Sequence, residues 1–281
     1  MRKYKEKIMQ VVFLLTACVS IAAVALICIY LLGSGIPTIL KIGPANFFGK
    51  VWKPSKNLFG ILPMIVGSIY VTAGAILIGV PIGLLCAIYL SRFCPKPIYR
   101  VLKPAVELMA GIPSIVYGFF GLMVIVPVIQ KLSGTSGKSL LTASILLGIM
   151  ILPTIISVAE SSLNAVPNSY YEGSLALGAT HERSVFSAVL PAAKSGVMSG
   201  VVLGVGRAIG ETMAVIMIAG NQAIMPSGLL KGLRTMTANI VLEMGYASGL
   251  HREALIATGV VLFVFILIIN TCFSLLKRRN G

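Results

Sequence analysis

The sequence predicts an all-α polytopic membrane protein with six transmembrane helices. Three observations carry this. Of 281 residues, 57% are hydrophobic and 11% charged, with a mean hydropathy of +0.96, a membrane composition. Six apolar segments reach the ~20 residues needed to cross a bilayer: 11–32, 62–90, 101–129, 140–159, 197–219 and 255–276. Lys and Arg gather just outside those segments. A formal charge of +15 would suggest nucleic acid in a soluble chain, but juxtamembrane cations orient helices and meet anionic headgroups of the bilayer, so no nucleic-acid partner is expected.

An even number of spans puts both termini on one side. With the termini inside, the cytoplasmic segments hold Arg2, Lys3, Lys5, Lys7, Arg92, Lys96, Arg100, Lys103, Arg183, Lys194, Lys277, Arg278 and Arg279. Those thirteen outnumber the nine cations of the outer loops, and they lie tightly against the spans, where the positive-inside rule applies best. Both termini are therefore expected in the cytoplasm. The organisation expected is a tail, first span and outer loop (1–57), a membrane core (58–276) containing a cytoplasmic loop at 160–194, and a basic tail (277–281).

In the first span, Leu15-Thr16-Ala17-Cys18 has the look of a lipoprotein cleavage box. The uncharged run continues from Ile8 to Leu40, too long for a signal segment, and an ordinary spanning helix is expected. Trp52, the only Trp, reads as an interfacial anchor. In the second span Gly74, Gly79 and Gly83 allow close helix approach, and Pro81 is expected to bend it. The five cysteines lie in or at the ends of apolar runs without metal-site or CxxC spacing, and read as small buried hydrophobes.

The third span contains Glu107 and then Gly111-Ile112-Pro113-Ser114-Ile115-Val116-Tyr117-Gly118. Pro113 removes a backbone donor where no water replaces it, which is tolerated inside protein or beside an aqueous path. A packing kink and a pathway both fit. In the loop before the fourth span, Gly137-Lys138-Ser139 resembles the tail of a phosphate-binding loop, but Leu132 stands where its first Gly belongs. The chain has no nucleotide site of that kind.

The fifth span is Gly206-Arg207-Ala208-Ile209-Gly210-Glu211-Thr212-Met213 at its centre. Arg plus an acid there cost roughly 5–7 kcal/mol, against roughly 3–5 kcal/mol returned by its aliphatic residues. Such a helix must be covered by protein or line a cavity. Four residues apart, Arg207 and Glu211 share a face and are expected to pair. The pair is either structural or part of an anion site. Of the last outer loop, long enough to dock an external partner, His251 reads as a surface residue.

The stretch 170–191 stands out as polar between two spans. It reads as a helix, a break at Gly178, and a second helix stopped before Pro191. Val185, Phe186, Val189 and Leu190 form an apolar stripe on one face, for packing on the protein itself or in a partner's groove. Its spacing resembles the EAA loop of ABC-importer permeases, E-A-A-x3-G-x9-I-x-L-P. Glu172 matches the acid, Gly178 the glycine and Leu190-Pro191 the end; Gly173-Ser174 and Ala188 depart from it. The motifs at 110–118 and 206–212 resemble phosphate-importer permeases of the Pst system. The run Glu211-Thr212-Met213-Ala214-Val215 is nearer the PstC type than the PstA type.

That resemblance implies a type I ABC-importer transmembrane fold (MetI-like) with cytoplasmic coupling helices, in a bacterial cell membrane. It implies a permease subunit, not itself an enzyme, that forms half of a phosphate pathway. The implied partners are a second permease chain of PstA type, two copies of an ATP-binding subunit and an external phosphate-binding protein. No cofactor is expected in this chain, since the partner ATPase uses the ATP. The expected pathway residues are Arg207, Glu211, Ser114, Tyr117 and Thr212, the hydroxyls adding hydrogen bonds to an anion held by Arg207. The expected coupling residues are Glu172, Gly178, Phe186, Leu190 and Pro191. Sulfate or molybdate import, and proton-coupled transport through Glu107 and Glu211, are the alternatives.

Overall fold

Backbone amides in a bilayer must find partners within the chain, and long apolar runs do so as helix. The computed structural model describes residues 2–279, helical almost throughout. Met1, Asn280 and Gly281 lie outside the described residues, as do the side chains of Arg2, Lys3, Lys5, Lys277, Arg278 and Arg279 from the two basic ends. The elements in order are α1 (Arg2–Ile42), α2 (Pro44–Phe47), a hairpin of β1 (Trp52–Lys53) and β2 (Leu58–Phe59), and α3 (Leu62–Ile88). Then come α4 (Lys96–Gly111), α5 (Ser114–Phe120), α6 (Val126–Ser133), α7 (Leu140–Asn164) and α8 (Asn168–Ala176). The chain continues through α9 (His181–Ser184), α10 (Leu190–Ala192), α11 (Lys194–Gly210), α12 (Met213–Ile218), α13 (Met236–Met244) and α14 (Gly249–Arg279).

Around α7 the other helices assemble. Ser139 caps its start, its hydroxyl accepting from the Thr142 amide at 3.3 Å. Its buried Leu146, Leu147, Met150, Ile151 and Ile155 meet Val71 and Ala75 of α3, Tyr117 of α5, and Val215 and Ile218 of α12. Helices with lipid on all sides gain little from excluding water, so this contact rests on close packing. The expected small-residue seam does this: a Cβ on Gly79 would lie 2.7 Å from the Gly148 carbonyl oxygen, so only Gly allows α3 so near α7.

A second cluster joins Phe47, Trp52, Phe59, Ile61, Met64, Met236 and Leu255 at one end of the bundle. A third joins Ala87, Ile88, Leu163, Val185, Val189 and Val197 at the other. The hairpin and α13 thus sit at one end and α8–α10 at the other. α1 runs antiparallel to α14: Gly35 packs on Val260 and Ala257, and Lys41 pairs with Glu253 at 3.2 Å. Both terminal helices therefore have their free ends at the α8–α10 end.

Several expectations need correcting. The first helix does not stop at 32 but continues to Ile42 through Pro37. The third span is not one helix over 101–129. α4 is amphipathic and too charged to count as a span, the chain breaks at Ile112-Pro113, and the apolar crossing is Ser114–Ser133. The fifth is broken at Glu211-Thr212. Among the described residues, five helices are long and apolar enough to cross a membrane, and a sixth arises if His181–Ala192 and Lys194–Gly210, bent by 72°, form one span. Trp52 is buried, its indole N–H donating to Glu243 at 2.9 Å. His251 is no isolated surface residue; it bonds the same carboxylate at 2.8 Å and stacks on Phe59. None of the five cysteines is buried; Cys18 and Cys272 face outward from the fold.

α4 is held to the body by charge. Glu160 of α7, 2% exposed, accepts from the Tyr99 hydroxyl and the Lys103 ammonium, each at 2.7 Å. Glu107 reaches the same ammonium at 3.6 Å. Burial drags Lys103 down, but hydrogen bonding to Glu160 and the two carboxylate charges outweigh it and leave it above the usual lysine value. A raised lysine stabilises the fold below its unfolded value and loses that only as pH rises through the folded one, so this clasp holds across the physiological range. Removing Glu160 strands a mostly buried cation. Glu160→Ala is expected to cost about 3 kcal/mol, at the low end for a broken buried pair because Lys103 keeps some solvent and Glu107. A matching fall in the detergent-solubilised melting temperature, with Glu160→Gln intermediate, checks it.

Candidate functional site

Two regions gather the polar residues that the bundle does not need for packing. The first is α8–α10. Pro167 opens α8, Gly178 turns the chain at φ +84°, and the Thr180 hydroxyl caps α9 by accepting from the Arg183 amide at 3.4 Å. The α9 segment does not end before Pro191. A π-turn over Val185–Val189 widens the helix, Pro191 sits in the first turn of α10, and the helix runs to Ala192.

The four apolar residues expected on one face divide. Val185 and Val189 are fully buried against Ile88, Leu163 and Val197, with Leu190 packed beside them, while Phe186 points out. Phe186, Tyr170 and Leu177, the last 91% exposed, and Glu172 all face away from the protein interior. His181 fastens the loop to the wide turn, Tyr89–Phe93, that follows α3. Its ring lies 4.6 Å from that of Phe93, and its Nδ1 meets the Tyr171 hydroxyl at 2.7 Å. Glu182 is exposed; its own backbone N–H and then the Thr180 hydroxyl hold its carboxyl below the usual range. The loop thus has a face fixed to the helices and a face offered outward.

The second region is a pair of helix breaks. α5 packs on α12 through Gly118, where a Cβ would lie 2.9 Å from the Ala214 Cα and 2.8 Å from the Met217 sulfur. This brings Ser114 and Tyr117, beyond the break at Ile112-Pro113, beside the break at Glu211-Thr212. The expected Arg207–Glu211 pair is absent there. Glu211 leaves the helix (φ −66°, ψ 130°), and its Oε1 accepts from the Thr212 and Ala214 amides, both at 3.1 Å. One carboxylate oxygen thus caps the start of α12. Arg207 instead donates to the Thr154 hydroxyl at 3.3 Å.

Two expected hydroxyls are also committed. Tyr117 donates to the Met109 carbonyl at 2.8 Å across the proline break, and Thr212 donates to the Gly210 carbonyl at 3.1 Å. Ser114 has no hydrogen-bond partner among the described residues. The sequence reading missed Thr154, whose neighbour Pro153 was the available signal, and Glu160, an acid at the end of an apolar run. The space beside three glycines at these breaks is open. Nothing lies within 4 Å of where a Cβ on Gly111, Gly206 or Gly210 would be.

Residues 79–280 match the family described as "Binding-protein-dependent transport system inner membrane component". The chain is 41% identical to the probable ABC transporter permease protein YqgH of Bacillus subtilis, covering 92% of this chain and 88% of that one. It is 36% identical to the phosphate transport system permease protein PstC of Mesorhizobium japonicum, over 78% of this chain and 73% of that one. The chain is a PstC-type member of this permease family.

The permease also shares its fold with solved importers. A chain of a bacterial alginate ABC transporter superposes with a TM-score of 0.67 at 16% identity, covering 95% of this chain and 94% of that one. One of the MetNI methionine ABC transporter, in an inward-facing form, gives 0.62 at 20% identity over 82% of this chain and all of that one. At these identities the likeness establishes the MetI-like fold, which the permease adopts.

Proposed function

We propose that the permease forms half of the translocation pathway of an ATP-driven phosphate importer. In this reading the termini and α8–α10 are cytoplasmic, as the distribution of Lys and Arg predicts. A separate ATPase, present twice, docks on the outward face of α8–α10. A PstA-type chain covers the open side at Gly111, Gly206 and Gly210, and an external phosphate-binding protein delivers to the opposite end. The observation that carries the reading is Arg207, a guanidinium inside the bundle beside a helix break, with no carboxylate paired to it among the described residues. A fixed planar cation of this kind takes tetrahedral oxyanions bidentately. Binding must remain weak enough for release, and a lone Arg with Ser114 nearby meets that condition. The relatives named for phosphate transport favour phosphate over other oxyanions.

Proton coupling has little left to work with: Glu211 caps α12, and Glu107 lies exposed near Lys103. The test is uptake of radiolabelled phosphate into vesicles holding this chain with its partner chains and ATP. Unlabelled phosphate is expected to compete, and equimolar sulfate or molybdate to leave uptake unchanged. Equal competition by sulfate, or uptake driven by a pH gradient without ATPase, would overturn the assignment.

A further inference from the structure

The helix break is tied to the far end of the molecule by α13. Breaking a helix frees carbonyls that must be satisfied inside protein. The Glu211 carbonyl, four residues from Arg207, is taken by the Thr237 hydroxyl at 3.1 Å. Thr237 is 7% exposed and accepts in turn from Thr235, the cap of α13, at 3.0 Å. The Met236 amide donates to Ser68 of α3 at 3.0 Å. At the other end of α13, Glu243 accepts from Arg234, from the Trp52 indole of the hairpin and from His251 of α14. Arg234 also holds the Asn239 side chain at 2.9 Å and the Asn221 carbonyl at 3.0 Å. One short helix, buried over Met236–Asn239 and at Glu243, is therefore hydrogen-bonded to the break at its start and to the hairpin at its finish. Around it the hairpin exposes Lys50, Lys53 and Lys56, none in an ion pair among the described residues.

We propose that α13 is the strut through which docking on the hairpin end sets the geometry of the Glu211 break, with Thr237 the positioning residue that grips the break. The idea rests on the transport reading, in which that end faces the external binding protein. Docking that displaces the hairpin pulls on Glu243, shifts α13 and moves the Glu211 carbonyl, and with it the end of α11 that carries Arg207. The hydrogen bonds from the hairpin to the break form one contiguous chain, the contacts along which such coupling would run.

Thr237→Val keeps the volume and removes the donor; Thr237→Ser keeps the donor. The assembled transporter, both permease chains with the ATPases in nanodiscs, is assayed for ATP hydrolysis with and without the phosphate-loaded binding protein. The expected result is that Thr237→Val lowers the stimulated-to-basal ratio about tenfold, the scale of one lost buried hydrogen bond, and that Thr237→Ser restores most of it. Trp52→Phe, at the other end of the strut, is expected to lower the same ratio with the break itself untouched. Wild-type ratios in Thr237→Val, or a Ser variant as impaired as Val, would overturn the strut, as would an unaffected Trp52→Phe. A wild-type transporter that phosphate-loaded binding protein fails to stimulate would instead overturn the transport reading on which the strut depends.

Discussion

Arg207→Gln is expected to leave the transporter assembled and to cut phosphate uptake at least a hundredfold. Among the described residues Arg207 makes one hydrogen bond to its own chain, to the uncharged Thr154 hydroxyl at 3.3 Å, and no ion pair. Gln can keep that contact. It cannot supply the positive charge or the forked donors that match a phosphate, and charge-assisted bonds are worth about 1.5–3 kcal/mol each. Two such bonds lost together give the factor expected. Arg207→Lys keeps the charge but loses the fork, and should fall between, with a raised half-saturation concentration. Uptake at graded phosphate, alongside co-purification of the partner chains, separates this from misassembly. Unchanged uptake in the Gln variant would remove Arg207 from the pathway.

Gly178→Val should uncouple ATP hydrolysis from transport without unfolding the membrane helices. The space around Gly178 is open, so Val meets no clash there. The conflict is conformational: at φ +84° an L-residue costs about 1–2 kcal/mol, and a β-branched one the upper part of that range or more. The turn will relax rather than bear the strain. Its position sets α8 against α9, and hence Glu172 and Leu177, before the turn, relative to Val185, Val189 and His181, after it, which grip the body. Moving the outward set against the inward set breaks a rigid lever. Uptake per ATP hydrolysed should drop at least tenfold while the melting temperature stays within a few degrees, and Gly178→Asn, tolerant of left-handed backbone, should retain more coupling. Coupled transport at wild-type yield in the Val variant would show that this loop does not carry the motion.

Much of this architecture was legible in the residues because hydropathy reports on the solvent, and the bilayer is a severe one. Gly79 can be read as a close contact because it acts on the backbone locally; Pro113 reads as a kink or pathway within one span, and the structure turns it into a full break. The site was legible in position but not in pairing. Arg207 and Glu211 were placed on one helix by arithmetic that assumes the helix continues, and nothing local in Gly210-Glu211-Thr212 announces that it stops. The break is held locally, by the Glu211 carboxylate on the Thr212 and Ala214 amides, and from afar, by Thr237, 26 residues on, which takes the freed carbonyl, with α5 packed alongside. Trp52 and Glu243 were hidden likewise, since partners 191 residues apart leave no periodic trace. Phe186 was separated from Val185 and Val189 by the wide turn, which shifts the angular register that a regular helix would keep.

The uncovered side at Gly111, Gly206 and Gly210 bears on how such a protein is made. A lone copy in the bilayer leaves unshielded the side of the bundle next to an arginine, a burden of roughly 2.5–3.5 kcal/mol if that charge meets lipid at mid-depth. A second chain that seals the side removes the burden and gains close glycine packing. On the proposed reading, solitary copies would be the less durable species and assembled pairs the persistent ones, so the cell's stock of this chain is expected to follow that of its counterpart rather than its own rate of synthesis.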